Sequence, residues 1–454
     1  MALVTVNPAT GRTLARYRTH SRLQVERALV TATRAQRVWR ELPLARRARI
    51  LRAVGRQFLA ECEALAALAT AEMGKPIKQS RAELEKSATL CEYYARQGHS
   101  QLADERPSGA PEHTRVVFDP LGIVLAIMPW NFPFWQVARA AIPALLAGNA
   151  VLLKHASNVP GCALALEKVF TRAGLPRGLF QSLLVGGDAI EALIADRRVH
   201  GVTLTGSTAV GKKVASLAGA AMKPGVFELG GSDPAIVLED ADIPRAAEIC
   251  AQARLLNSGQ SCVCAKRFIV VRSVLPEFQK HFVERMAVRR VGAPAEATTD
   301  VGPLARSDLR EELHAQVQAS VRRGARLLLG GKALRGPGFF YEPTVLTGVR
   351  PGMPAYEEEL FGPVASIIAV RDAAEAIKVA NSSAYGLGAA IFTRNRARAR
   401  KLARQIESGA VFINDFVRSS PELPFGGVKD SGYGRELAQW GARSFVNVKT
   451  VWEG

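Results

Sequence analysis

The residues best suited to chemistry lie in one short stretch, Asn257-Ser258-Gly259-Gln260-Ser261-Cys262-Val263-Cys264. A thiol that follows Gly and Gln, between helical periodicity and an apolar strand, can act as a nucleophile. The competing fate of such a cysteine is to pack as a small hydrophobe. Six other stretches place polar groups near strand ends. Pro129-Trp130-Asn131-Phe132-Pro133 offers an amide for a developing oxyanion, or an ordinary turn asparagine. Lys154 leaves an apolar strand and suits a hydroxyl or phosphate, although a surface lysine is the plainer reading. Thr205-Gly206-Ser207-Thr208 opens a helix and presents backbone N–H groups to an anion, but it lacks the GxGxxG spacing. Phe227-Glu228-Leu229-Gly230-Gly231 puts a carboxylate at a strand end, as a general base or as a simple strand terminus. Glu357 to Pro363 and Pro424-Phe425-Gly426-Gly427-Val428-Lys429 complete the set.

These groups need elements to hold them. From residue 123 onward, short apolar segments alternate with helical periodicity: strands at 123–128, 150–153, 180–185 and 202–205, helices at 134–146, 159–173 and 210–221. Wholly apolar short strands between helices indicate a parallel sheet covered on both faces, with ligands at the carboxyl ends of its strands. The second half repeats this pattern, with strands expected at 235–238, 268–271, 326–329, 364–370, 389–393 and 410–414. A helix at 244–256 leads into the cysteine loop, and others are expected at 278–290, 309–323, 373–380 and 396–406. Before it all come helices expected at 21–40, from Pro43 to near Gly74, and at 82–97, then a strand–turn–strand over 114–128.

The bulk composition narrows the class. The chain has 454 residues, 48% hydrophobic and 22% charged, which fits a globular enzyme of two or three domains. No apolar run is long enough to span a membrane, and the start lacks a leader pattern, so a cytoplasmic protein is expected. Six cysteines are too few for a disulfide framework, and no spacing suggests a metal site. The formal charge of +19 is spread along many helices without a basic tail or aromatic-interleaved patch, so no nucleic-acid partner is expected.

Taken together and in this order, the motifs resemble the aldehyde dehydrogenase superfamily over nearly the whole chain. The resemblance implies a Rossmann-type cofactor domain (1–105 and 124–230), an α/β catalytic domain (231–434), and a small β hairpin for oligomerisation (106–123 with 435–454). It implies that Cys262 adds to an aldehyde, that Asn131 and the Cys262 backbone N–H hold the oxyanion, and that Glu228 activates water on the resulting thioester. Trp130, Lys154, Ala156, Ser157, Gly206, Ser207, Leu229, Glu359 and Phe361 match cofactor-binding positions for NADP or NAD. Many relatives carry Glu where this chain has Ser157, and losing that charge favours NADP. Among subgroups the sequence is most similar to succinate-semialdehyde dehydrogenases. There Arg139 matches an arginine for the distal carboxylate, with Trp135, Ser261 and Ser419 beside the substrate. Leu256 stands where some relatives place a second arginine, a role Arg254 could fill. Cys264 is a candidate redox partner of Cys262. The alternatives are another semialdehyde, a broad aliphatic aldehyde, or a silent member kept for binding. A homodimer or homotetramer is the expected assembly.

Overall fold

The computed structural model describes residues 2–453. Two sheets organise the chain. The first has six strands in the order Gly432–Tyr433, Gly225–Glu228, Val199–Thr205, Ile123–Met128, Ala150–His155, Phe180–Ser182. It is parallel except for the Gly432–Tyr433 edge, which pairs antiparallel with Gly225–Glu228. The second has seven strands, in the order Arg326–Leu329, Thr344–Thr347, Val364–Val370, Arg267–Val271, Pro234–Val237, Gly388–Phe392, Ala410–Ile413, with only the first antiparallel. The chain passes from one sheet to the other through Gly230 and Gly231.

The strands Ile123–Met128 and Arg267–Val271 are buried at every position, the first apolar throughout and the second apolar after Arg267, whose guanidinium donates to the carbonyls of Ser232, Val379 and Ala380. The helix Trp135–Ala147 is buried along all thirteen residues. It packs against the sheet, against the helices Leu44–Ala60 and Ile77–Leu102, and against the short helix Ala438–Arg443. A helix whose residues other than Gln136 and Arg139 are all apolar needs such a surrounding to be stable.

Several elements differ from expectation. The helix expected from Pro43 to Gly74 is two, Leu44–Ala60 and Cys62–Met73, broken at Glu61 where the backbone leaves helical values (φ −104, ψ 13). The helix expected at 82–97 is Ile77–Leu102 and begins directly after Pro76, whose fixed φ suits a helix start. An amino-terminal hairpin, Ala2–Val6 with Thr13–Arg18, was not legible, because its strands are short and only Thr5 among their residues is buried, so no apolar alternation marks them. The strand Thr114–Pro120 does not pair with its neighbour in sequence. It pairs antiparallel with Val446–Trp452, so the small ribbon joins segments more than 300 residues apart rather than forming a local hairpin.

Candidate active site

The first sheet brings four of the motifs to one edge. In the strand register, Ile127 lies opposite both Lys154 and Leu204, and Thr205 lies opposite Glu228. The turn at Trp130-Asn131, the Lys154 strand end, the Gly206-Ser207 turn and Glu228 therefore project from the carboxyl ends of adjacent parallel strands. This is the side where open α/β sheets bind ligands.

The nucleophile loop arrives from the second half. Asn257 (φ 52), Ser258 (φ 56) and Gly259 (φ 77) are three consecutive left-handed residues just before Gln260-Ser261-Cys262. Such backbone costs of order 1–3 kcal/mol for each non-glycine residue and persists only where the surroundings enforce it. Here Gln79 accepts from the Asn257 N–H at 2.6 Å, and the Asn257 amide donates to the carbonyls of Asn131 (2.8 Å) and Gln260 (3.1 Å). The Ser258 hydroxyl accepts from Gly302 N–H at 2.9 Å. Arg254, fully buried, donates to the carbonyls of Gly259, Leu360, Gly362 and Ala265. That fastens the loop to the Glu359-Leu360-Phe361-Gly362 segment and takes Arg254 out of consideration as a substrate ligand.

Cys262 is half-buried at the wall of a cleft of about 860 Å³, lined among others by Trp130, Asn131, Ser207, Glu359 and Phe361. Burial pushes its thiol up to about 12, against the opposing charges of Arg139 and Lys266. The Cys262 backbone N–H donates to no group among the described residues. The Asn131 side chain gives one N–H to the Gln260 carbonyl at 3.0 Å and keeps the other uncommitted. Two donors thus remain for an oxygen on carbon bonded to sulfur. Glu228 is 2% exposed, and neither carboxylate oxygen has a hydrogen-bond partner among the described residues. Burial first, then the neighbouring Glu436, hold its carboxyl well above the usual carboxylate range. A buried carboxyl held protonated in this way can take up a proton only after it has released its own.

The cleft fits a dinucleotide. Ser207 caps the helix Thr208–Ala220 without using its side chain as a cap, leaving the first-turn N–H groups turned to the cleft for an anion. Gly206 and Leu229 also line it. Glu359 accepts from the Gly231 N–H (3.1 Å) and pairs with Lys266 (3.1 Å), while Phe361 meets Trp130 edge-on with centroids 5.8 Å apart. Lys154 is half-buried and has no ion-pair partner among the described residues. Burial alone lowers its ammonium pKa. Ala156 is half-buried and Ser157 exposed beside it.

The residues expected on the substrate side fall into two groups. Trp135 and Ser419 meet: the indole Nε1–H donates to the Ser419 hydroxyl at 3.2 Å. Arg139 is 3% exposed, ion-paired with Glu436, 3.4 Å from the Thr205 hydroxyl and stacked 4.6 Å from the Phe425 ring centroid. Its charge is therefore already matched inside the fold. Ser261 is buried under the loop and passes its carbonyl to Lys266. The Cys264 thiol is buried and donates to the Leu256 carbonyl at 3.3 Å, and both cysteines are free.

Some groups that hold the site gave no sequence signal. Glu83, paired with the fully buried Lys75, accepts from the N–H groups of Phe134 and Trp135 at 2.8 and 2.9 Å and so caps the helix that carries Arg139. His155 braces the Asn131 turn, with Nδ1 beside the Ala156 N–H and the Met128 carbonyl and Nε2 against the Pro133 carbonyl. Burial pushes its pKa down to about 4. A His after Lys154 could have been singled out; Glu83 sits 48 residues before Asn131 and could not.

Comparison with known proteins gives a consistent picture. Residues 2–451 match the model of the aldehyde dehydrogenase family. The chain is 48% identical over 452 residues to a probable succinate-semialdehyde dehydrogenase [NADP(+)] of Synechocystis sp., covering all of both chains. It is 46% identical over 450 residues to a succinate semialdehyde dehydrogenase [NAD(P)+] of Escherichia coli, covering 99% of this chain and 97% of that one. Its fold superimposes on succinic semialdehyde dehydrogenase from Streptococcus pyogenes in complex with NADP+ with a TM-score of 0.97, 35% identity and complete coverage of both chains.

Proposed function

We propose, from the premise that this chain belongs to the aldehyde dehydrogenase family, that it oxidises succinic semialdehyde to succinate with NADP. The observation that carries the reading is the free backbone N–H of Cys262 beside the uncommitted Asn131 amide, at the wall of a cleft with a helix amino terminus. Cys262, once its thiol proton has passed to solvent, adds through sulfur to the aldehyde carbon, whose C=O π bond opens to an oxyanion held by those two donors. A dinucleotide bound in the cleft would supply the hydride acceptor for that carbon. The thioester left on Cys262 is hydrolysed by water that gives its proton to Glu228. Ser207 and the helix Thr208–Ala220 receive the pyrophosphate, Glu359 a ribose, and Lys154 with Ser157 the adenosine end.

The substrate choice is supported by the cationic side chains near Trp135 and Ser419 and by the names of the relatives above. The absence of a carboxylate at Ser157 supports NADP, since a glutamate there would repel a 2′-phosphate. Cys264, two residues from the nucleophile, is the partner we assign for reversible oxidation of Cys262. The test is a panel of aldehydes with and without a terminal carboxylate, each with both cofactors. A kcat/KM for succinic semialdehyde no higher than for butanal would reject the substrate. A homo-oligomer formed through the ribbon Thr114–Pro120/Val446–Trp452 belongs to the same reading.

A further inference from the structure

The cations near the helix Trp135–Ala147 and the Ser419 loop are not equivalent. Arg139 is matched by Glu436, Arg418 by Asp415 at 2.8 Å, and Lys75 by Glu83. Lys86, on the helix Ile77–Leu102, is half-buried, and no carboxylate among the described residues lies within ion-pair distance of it. Its ammonium donates to the Ser419 hydroxyl at 2.9 Å and sits 4.3 Å from the centroid of the Trp135 ring. Trp135 donates to that same hydroxyl at 3.2 Å. A hydroxyl oxygen has two lone pairs, and both are now taken, so the Ser419 proton must be donated. Among the described residues it has no acceptor, and Lys86 retains two further N–H donors. A half-buried cation, a spare O–H and an aromatic wall form a receptor for one anion. Burial, then Arg139 on the facing helix and Arg418 on the Ser419 loop, push the Lys86 ammonium down to about 8, with Glu83 on its own helix acting in the opposite sense. A bound carboxylate would relieve that repulsion.

We propose that Lys86 is a specificity-determining residue, whose ammonium, with the Ser419 hydroxyl, receives the carboxylate at the far end of the aldehyde, while Arg139, held by Glu436, contributes less. The inference rests on the semialdehyde reading above and names the group that enforces it.

The experiment measures kcat/KM for succinic semialdehyde and for butanal, with NADP, in the wild type, K86M and K86R. The readout is the ratio of the two values, which is insensitive to a shared loss of folded enzyme. K86M is expected to lower the ratio by about 10- to 100-fold, the range of a charge-assisted hydrogen bond, chiefly through KM, and K86R to recover most of it. In the wild type the ratio should also fall as pH rises past about 8, and in K86M that step should vanish. A wild type with no preference for the carboxylate substrate would sink the semialdehyde reading and this role with it. A wild-type preference that survives intact in K86M would overturn the role of Lys86 alone.

Discussion

Glu228 shows how a single side chain can be costly to the fold and useful to the chemistry. Its carboxyl ordinarily titrates near 4.5, and burial raises that value. Between the two values the folded protein holds a proton that the unfolded chain has released. The group therefore lowers stability as pH rises through that window. E228Q removes the titration, so its thermal stability should decline less with rising pH than that of the wild type, as melting curves across pH would show. The same variant should lose about 10²–10⁴ in steady-state turnover while keeping a first burst of reduced cofactor, since only thioester hydrolysis needs the base. Retention of full turnover would remove Glu228 from the mechanism. Ser157 supplies the second prediction at this scale. S157E should shift cofactor selectivity toward NAD, measured as the ratio of kcat/KM values for NAD and NADP, and an unchanged ratio would count against Ser157. Glu228 stood out from its place at a strand end, and Ser157 from the glutamate that many relatives carry there. The protonation of Glu228 did not, because it depends on Glu436, 208 residues later, and on how dry the pocket is.

At the scale of elements, the turn before Cys262 is a strained segment held by its contacts. Gly259 has φ 77, and a Cβ built there would lie 2.1 Å from the Gly362 carbonyl oxygen. That carbonyl also accepts from Arg254. G259A should therefore cost about 1–3 kcal/mol in stability and reduce activity beyond its effect on folding, because the same contact sets the height of the Cys262 loop. A variant with native melting temperature and native kcat would show that the loop can yield. The glycine and the cysteine were both visible in the sequence. The strain was not: Asn257 and Ser258 have no obligatory left-handed preference, and contacts with Gln79, Asn131, Gly302 and Arg254 impose it. The break at Glu61 was hidden for a related reason, since apolar periodicity continues on both sides of it.

Across the whole molecule, the formal charge of +19 is the excess of lysine and arginine over carboxylates, and the carboxylates themselves are engaged in many surface pairs and a few buried ones. Arg–Glu and Arg–Asp pairs such as Arg198 with Glu26 and Asp196 lie on the surface, where each contributes little to stability. The buried cations Lys75, Arg139 and Lys266 each have a carboxylate partner, and each pair touches an element of the site. The terminal ribbon leaves Val448 61% and Trp452 65% exposed on one strand. If this strand is where copies of the chain meet, V448E combined with W452E should give a smaller species by light scattering. An unchanged mass would place the contact elsewhere.

The sequence by itself determined the alternation of buried strands and helices, because a strand covered on both faces must be apolar throughout. It also marked Cys262, Asn131, Glu228 and the turn before Thr208 as candidates, each at a strand end or a turn, although their roles came only from the motifs read together as a resemblance. The tertiary structure alone decided which charges are matched. Arg139 reads as a free guanidinium until Glu436 is seen against it, and Lys86 reads as a surface lysine until Trp135 and Ser419 close over it. The partners of these cations lie far away in the chain, Glu436 nearly 300 positions after Arg139 and Ser419 333 positions after Lys86, and no local pattern encodes them.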